Sequence, residues 1–130
     1  MIVLDASAAV EVFSQSPRGV WLADRLRTVR TIHVPVIYDL EILNSLRGLG
    51  AGAKRTPARI REALDDYASL RVNRYDILSL RSRIWALRHN LTAYDAAYVA
   101  LAEALDAPLV TADARLARSS GHAAELELVP

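Results

Sequence analysis

Leu91-Thr92-Ala93-Tyr94-Asp95-Ala96-Ala97-Tyr98-Val99-Ala100-Leu101-Ala102, followed a few residues later by Ala107-Pro108-Leu109-Val110-Thr111-Ala112-Asp113, is the stretch that decides the fold class. Its first part predicts a helix starting at Thr92, the most apolar in the chain, with no charge between Asp95 and Glu103. Its second part predicts a strand, Leu109-Val110-Thr111, entered from Pro108 and left at Asp113. A helix that feeds a short apolar strand is half of a βαβ unit. The same alternation extends outward. Ile2-Val3-Leu4 is a continuous apolar run bounded by Asp5, as expected of a strand buried on both faces. Ser7 is positioned to cap a helix reaching about Ser14, and Pro17 to open a second one. Thr31 to Val34 reads as a strand, followed by a helix that Pro35 begins and Gly48-Leu49-Gly50 stops. Pro57 opens another helix, Leu70 to Asn73 reads as a strand, and Asp76 caps a helix carrying Ile77, Leu80, Ile84 and Leu87. Leu126 to Val129 reads as a final strand. The expected architecture is α/β, a short, mainly parallel sheet flanked by helices, with ligands at the carboxyl ends of the strands.

Composition narrows the classes further. The chain has 130 residues, 52% hydrophobic and 24% charged, which excludes disordered and low-complexity classes and predicts a single domain over residues 1–130. Sixteen basic and 15 acidic side chains leave a net charge of +1, which argues neither for nor against a nucleic-acid partner. The absence of cysteine removes disulfides, thiolate metal sites and cysteine nucleophiles. No apolar run approaches the roughly 18 residues of a membrane span, and Met1-Ile2-Val3-Leu4-Asp5 has no basic region before its apolar stretch. A cytoplasmic protein without a membrane segment is expected.

Four of the acids sit where acids are awkward. Asp5 and Asp113 end buried strands, Glu41 lies among Val36, Ile37, Leu40, Ile42, Leu43 and Leu46, and Asp95 opens the most apolar helix. Each has an ordinary explanation: Asp5 and Asp113 as helix caps, Asp95 in a Thr92-x-x-Asp95 capping box, Glu41 paired with a buried arginine. A divalent cation accounts for all four at once, since magnesium and manganese take hard oxygen ligands. Other acid chemistries fit less well. A phosphatase with an aspartate nucleophile needs a second aspartate where Ser7 stands, and a phospho-accepting receiver needs a late lysine, whereas the only lysine is Lys54. Glycoside hydrolysis, which needs two acids, remains open. Gly48-Leu49-Gly50-Ala51-Gly52 follows a helix, not a strand, and so is no phosphate loop. His33, His89 and His122 lack metal-ligand spacing.

With these residues in view the chain resembles the PIN-domain ribonucleases, and among them the VapC-type toxins of toxin–antitoxin pairs. The matching stretches are Val3-Leu4-Asp5-Ala6-Ser7-Ala8, Glu41-Ile42-Leu43-Asn44-Ser45-Leu46-Arg47, and the two stretches quoted at the outset. Residues from about Gly50 to Arg88 carry no motif. The resemblance implies a PIN-like fold with helices on both faces of the sheet and an acidic pocket for magnesium or manganese. It also implies an endoribonuclease that cleaves RNA phosphodiester bonds by metal-activated water and acts as a toxin. Asp5, Glu41, Asp95 and Asp113 take the family's acidic positions, with Asp5 and Asp95 as the direct metal ligands. Ser7 and Thr111 take supporting polar positions, and Asn44 a further one that also suits a plain helix–helix contact. Two alternatives stand beside this: a housekeeping PIN nuclease in RNA processing, and a catalytically silent PIN-like interaction module.

The resemblance further implies a VapB-type protein antitoxin and a homodimer, the latter also suggested by Phe13, Trp21 and Leu22 as apolar residues a small domain leaves exposed. Arg47, Arg115 and Arg118 are the candidates for holding RNA phosphates, with solvated helix faces as the alternative. If the four acids converge, they repel one another without metal, so neutralising Asp5 or Asp113 is expected to stabilise the metal-free protein.

Overall fold

The computed structural model describes residues 1–52 and 55–130, so Lys54 lies outside the described residues. Five strands, β1 (Ile2–Leu4), β2 (Ile32–Pro35), β3 (Asn73–Tyr75), β4 (Leu109–Thr111) and β5 (Leu126–Leu128), form one sheet in the order β3-β2-β1-β4-β5. Every pairing is parallel; Val3 lies opposite His33 on one side and Leu109 on the other. The helices are α1 (Ala6–Phe13), α2 (Pro17–Arg27), α3 (Ile37–Ala51), α4 (Pro57–Ser69), α5 (Arg81–Ala86), α6 (Ala93–Leu105) and α7 (Ala114–Ala117). Right-handed crossovers send α1–α4 to one face and α5–α7 to the other. The packing agrees: α1 meets α2, α3 and α4, while α6 meets α5 and the central strands β1, β2 and β4.

Because both faces are covered, β1 and β4 are buried at every residue, which is why their sequences do not alternate. The helix α6 is buried at seven consecutive positions, Ala96 to Ala102, which explains its lack of charge. Its small alanines let it lie close across the sheet. Thr92 caps it, the Thr92 Oγ1 accepting from the Asp95 amide at 3.2 Å. Ser16 caps α2 ahead of Pro17. Two residues later Gly19 is obligatory, since a Cβ there would stand 1.9 Å from the Glu11 carbonyl oxygen of α1.

Several sequence expectations shift. Pro35 closes β2, where it still meets Tyr75 in register, and does not open a helix. The next helix, α3, runs through Gly48 and Gly50 to Ala51, so those glycines are tolerated inside it and do not stop it. The third strand starts at Asn73, because the preceding helix runs to Ser69 and Leu70 to Val72 leave it. Asp76 does cap, its carboxylate accepting from the Ser79 amide at 2.8 Å, but a 3-10 turn over Leu78–Leu80 precedes the short α5. Asp5, not Ser7, occupies the cap position of α1. The apolar residues around Glu41 do not bury α3 on all sides: Tyr38, Ile42 and Leu46 face the core while Leu40 is 72% exposed. Phe13 and Leu22 are core residues, and of that trio only Trp21 is exposed. No helix among the described residues is long and apolar enough to cross a membrane.

Candidate active site

Chain direction reverses between β1 and β4. From β1 the chain moves through β2 to β3, then crosses to β4 on the far side. Ligands of open α/β sheets sit at the carboxyl ends of the strands flanking such a point. Asp5 follows β1 directly and Asp113 lies two residues after β4. Glu41 is on the second turn of α3, the helix after β2, and Asp95 is on the first turn of α6.

Asp5 is 6% exposed and is not held as a cap. Its Oδ2 accepts from Ser7 Oγ at 2.5 Å and from Thr111 Oγ1 at 2.6 Å. Each hydroxyl is itself fixed by a backbone amide of the turn after β4: Ala112 N–H donates to Ser7 Oγ at 3.0 Å, and Asp113 N–H to Thr111 Oγ1 at 3.0 Å. A hydroxyl has one proton, so those amides commit both protons to Asp5. The sequence-derived supporting positions, Ser7 and Thr111, thus join the ends of β1 and β4 through one carboxylate oxygen. Arg18, which the sequence reading passed over, fastens the same turn from α2 by donating to the Ala112 carbonyl at 3.1 Å and the Val129 carbonyl at 2.8 Å.

Glu41 has no arginine partner among the described residues; its Oε1 accepts from Tyr98 Oη at 2.8 Å. Sequence reasoning missed Tyr98. The available signal was its place three residues after Asp95, on the same face of α6, as a hydroxyl on an otherwise apolar surface. Asp95 completes only half of a capping box: its amide bonds Thr92, but its carboxylate Oδ2 accepts from Arg115 Nη2 at 3.1 Å. Asp113 is a genuine cap. Its Oδ1 accepts from the Arg115 and Leu116 amides at 2.8 and 3.3 Å, and its Oδ2 stands 3.5 Å from Arg115 Nη2. Arg115 therefore links Asp95 to Asp113. Asn44 is exposed on α3 and bonds Arg47, which places that pair on a solvated helix face.

The charges report on one another. Burial pushes the Asp5 carboxyl above its ordinary range against the Ser7 and Thr111 bonds, and the negative charge of Asp95 adds to the rise. Burial likewise raises Glu41 against the Tyr98 bond, with Asp5 and Asp95 contributing. Burial raises Asp95, Arg115 opposes it, and Asp113 adds to it. Tyr98 is pushed up by burial and by Asp5 and Glu41, which keeps its proton available to Glu41. Asp113 differs: burial pushes it up, but the two amides and Arg115 outweigh burial and hold it below the usual range. The expectation that neutralising Asp113 stabilises the protein is therefore corrected, because this carboxylate is well satisfied.

The donor set is all hard oxygen, which suits magnesium or manganese. Among the described residues no three His, Asp or Glu side chains form a ready-made metal cage. Magnesium does not need one, since it is commonly held by one or two carboxylates with water completing the shell. None of Asp5, Glu41 and Asp95 receives a bidentate arginine, and an ionised carboxylate offers about four acceptor sites, which leaves lone pairs on each for an ion or its water. A cleft of about 230 Å³ adjoins the acids, with Asp95 and Arg115 in its wall. Larger clefts, of about 430 and 650 Å³, open toward the amino ends of the strands beside Pro108 and Thr31, away from the acids.

Comparison with known proteins bears on the family and the fold. The PIN domain family model matches residues 2–121. Ribonuclease VapC12 of Mycobacterium tuberculosis is 42% identical over 138 residues, covering 99% of each chain. The VapC ribonuclease Mb0985 of Mycobacterium bovis is also 42% identical, over 100% of this chain and 99% of that one. Among solved structures, PAE2754 from Pyrobaculum aerophilum superposes with a TM-score of 0.67 at 23% identity, covering 95% of this chain and 82% of its own. VapBC2 from Rickettsia felis, bound to a DNA fragment from its promoter, gives 0.65 at 20% identity with both chains fully covered, so both structures share the fold. A family model matching nearly the whole length, joined by relatives at that identity, places the chain in the PIN-domain family, within its VapC branch.

Proposed function

We propose that this protein is a metal-dependent endoribonuclease that acts as the toxin of a toxin–antitoxin pair. The observation that carries the reading is the trio Asp5, Glu41 and Asp95, three carboxyls of separate elements, each raised above the ordinary range first by burial, with Asp95 adding to Asp5 and both adding to Glu41. Its activity class follows the VapC ribonucleases to which the chain is 42% identical. Asp5 and Asp95 would hold magnesium or manganese, with Glu41 and Asp113 completing the pocket directly or through water. The ion would supply an acidified water and a Lewis acid for the leaving oxygen. The chain's own residues do the positioning. Ser7 and Thr111 fix the rotamer of Asp5, Tyr98 fixes Glu41, and Asp113 holds Arg115 beside Asp95. Arg115 offsets part of the negative charge that an RNA phosphate meets on approach.

A VapB-type antitoxin and a second copy of the chain belong to the same reading. Structural relatives include a toxin–antitoxin complex from Klebsiella pneumoniae. On this chain Val36, Leu40 and Leu43 form an exposed apolar stripe along α3, a surface suited to a protein contact. The test of the enzymatic core is RNA cleavage by the purified chain with magnesium and with excess chelator. Cutting that depends on the ion supports the reading; undiminished cutting in chelator overturns the metal role, and no cutting in either overturns the nuclease.

A further inference from the structure

We infer that the cleft between the start of α6 and α7 is the subsite for the nucleotide flanking the scissile phosphate, with Arg118 as its phosphate-binding residue. The inference rests on the ribonuclease reading and assigns where the substrate lies. The cleft is bounded by Asn90, Leu91 and Asp95 on one side and by Arg115, Arg118 and Ser120 on the other. It shares Asp95 and Arg115 with the acidic site, so a strand lying in it reaches that site at Asp95. At about 230 Å³ it is far too small for a duplex, and unpaired, splayed RNA is the form that proteins take into such clefts.

Charge assigns the phosphate. Of the three arginines that sequence position offered, Arg47 lies on α3 beside Asn44 and does not line the cleft. Arg115 commits one nitrogen, Nη2, to Asp95 and Asp113, while its Nε and Nη1 find no acceptor among the described residues. A guanidinium has five donors, so Arg115 can remain on the acids and still bind a phosphate oxygen from the cleft side. Arg118, one turn along and exposed, makes no side-chain bond to any described residue. Two arginines with spare donors thus line one cleft beside Asp95, in a chain whose other arginines mostly satisfy acids or carbonyls.

The far wall is built, not loose. Arg83 donates to Glu103 at 2.6 and 2.9 Å, and Glu103 accepts from the Ala123 amide at 2.9 Å, which anchors the segment after Ser120 to α6. Gly121, at φ +87°, lies flat against the Asn90 side chain, where a Cβ would come within 2.9 Å. That contact joins the two walls.

The test measures binding apart from cleavage. Full-length wild type and Arg118→Ala are titrated with a fluorescent single-stranded RNA oligonucleotide in excess chelator, at several salt concentrations. Arg61→Ala is the control, since Arg61 is another exposed arginine without a described partner, on α4 across the sheet. Arg118→Ala should weaken binding about 3- to 10-fold and flatten the log–log salt slope by about 0.7, the loss of one phosphate contact on a single strand. Arg118→Lys should keep the slope, because it keeps the charge. If Arg118→Ala binds like Arg61→Ala, with the wild-type slope, the subsite is wrong. An Arg118 effect in a protein that never cuts RNA with magnesium would sustain Arg118 as an RNA-phosphate contact and remove the nuclease reading instead.

Discussion

Glu103 and Asp95 lie on one helix, with side chains 16% and 19% exposed, yet their carboxyls move in opposite directions. Glu103 accepts a bidentate pair of bonds from Arg83 and one from the Ala123 amide, and Arg83 foremost holds it below its ordinary range. Asp95 is raised by burial, receives one nitrogen of an exposed arginine, and faces Asp113. Asp39, at the start of α3, repeats the first pattern: Arg74 donates twice, at 2.7 and 2.8 Å, and Tyr67 once at 2.5 Å. Glu41, two residues on, repeats the second with a single tyrosine. Partner sets together with burial separate the acids that hold the fold together from the acids raised at the site. A chain that gives Asp39 and Glu103 bidentate arginines and withholds them from Asp5 and Glu41 leaves room there for a cation.

The sharpest break of this comparison exchanges function between the two sets. Asp5→Asn keeps one oxygen for Ser7 and Thr111 and removes the charge. RNA cleavage should fall at least about 100-fold, the scale of losing a group that acts only in the transition state. Asp39→Asn should leave cleavage rates within about twofold while lowering the melting temperature. Parallel activity assays and melts on both variants check this; equal activity losses would erase the distinction.

Next in size is Tyr98→Phe. It leaves the half-buried Glu41 with no side-chain donor among the described residues. Removing a group that orients a ligand typically costs about 10- to 100-fold in metal affinity or activity. Magnesium titration followed by melting temperature should show weaker binding, whereas a purely structural Tyr98 would lower the melting temperature equally with and without the ion.

Smaller still is the structural set. Glu103→Gln loses charge-assisted bonds to Arg83 and should destabilise by about 1–2 kcal/mol, without altering RNA affinity in chelator by more than about twofold. Asp39 and Glu103 have depressed carboxyl pKa values, so their contribution is present above the unfolded values of 3.8 and 4.5 and fades as pH falls through the lower folded values. Acid unfolding of Glu103→Gln should therefore be shallower below about pH 4 than that of wild type.

The same contrast explains what was legible in the sequence. Strands buried on both faces announce themselves as unbroken apolar runs, so β1 and β4 stood out, with Asp5 and Asp113 at their ends. β3 did not, because it is an edge strand whose Asn73 and Arg74 are exposed and whose hydrogen bonding, not its composition, makes it a strand. The helix α3 misled for a related reason: apolar residues on all sides suggest burial, but Leu40 and Leu43 face outward. All four acidic positions were readable from motif and placement. The partners that set their charge were not, since Tyr98–Glu41 and Arg115–Asp95 pair residues 57 and 20 positions apart. Only the folded chain shows that two amides and Arg115 hold Asp113 below its ordinary range while burial raises Asp5 above it.

That last difference gives the smallest predicted effect and a sign that depends on pH. Asp5 is raised above 3.8 by burial first, and Asp95 adds to it. A carboxyl with a raised folded pKa binds its proton more tightly folded than unfolded, so its ionisation opposes folding at neutral pH. The opposition lessens as pH falls through the folded value and is gone below 3.8, where both states are protonated. Asp5→Asn should therefore stabilise the metal-free protein at pH 7, by about 1 kcal/mol, within the range of single substitutions. The gain should shrink steadily toward pH 4. Asp113→Asn should give no gain and should cost about 0.5–1 kcal/mol through the weakened cap and the lost pair with Arg115. Magnesium should reverse the ranking by stabilising wild type through mass action while leaving Asp5→Asn unmoved. Denaturant unfolding of the three proteins at pH 7 and pH 4.5, with chelator and with magnesium, measures every term. A pH-independent gain in Asp5→Asn would mean that packing, not charge, is responsible; a loss at pH 7 would mean that Asp5 is a structural acid like Glu103.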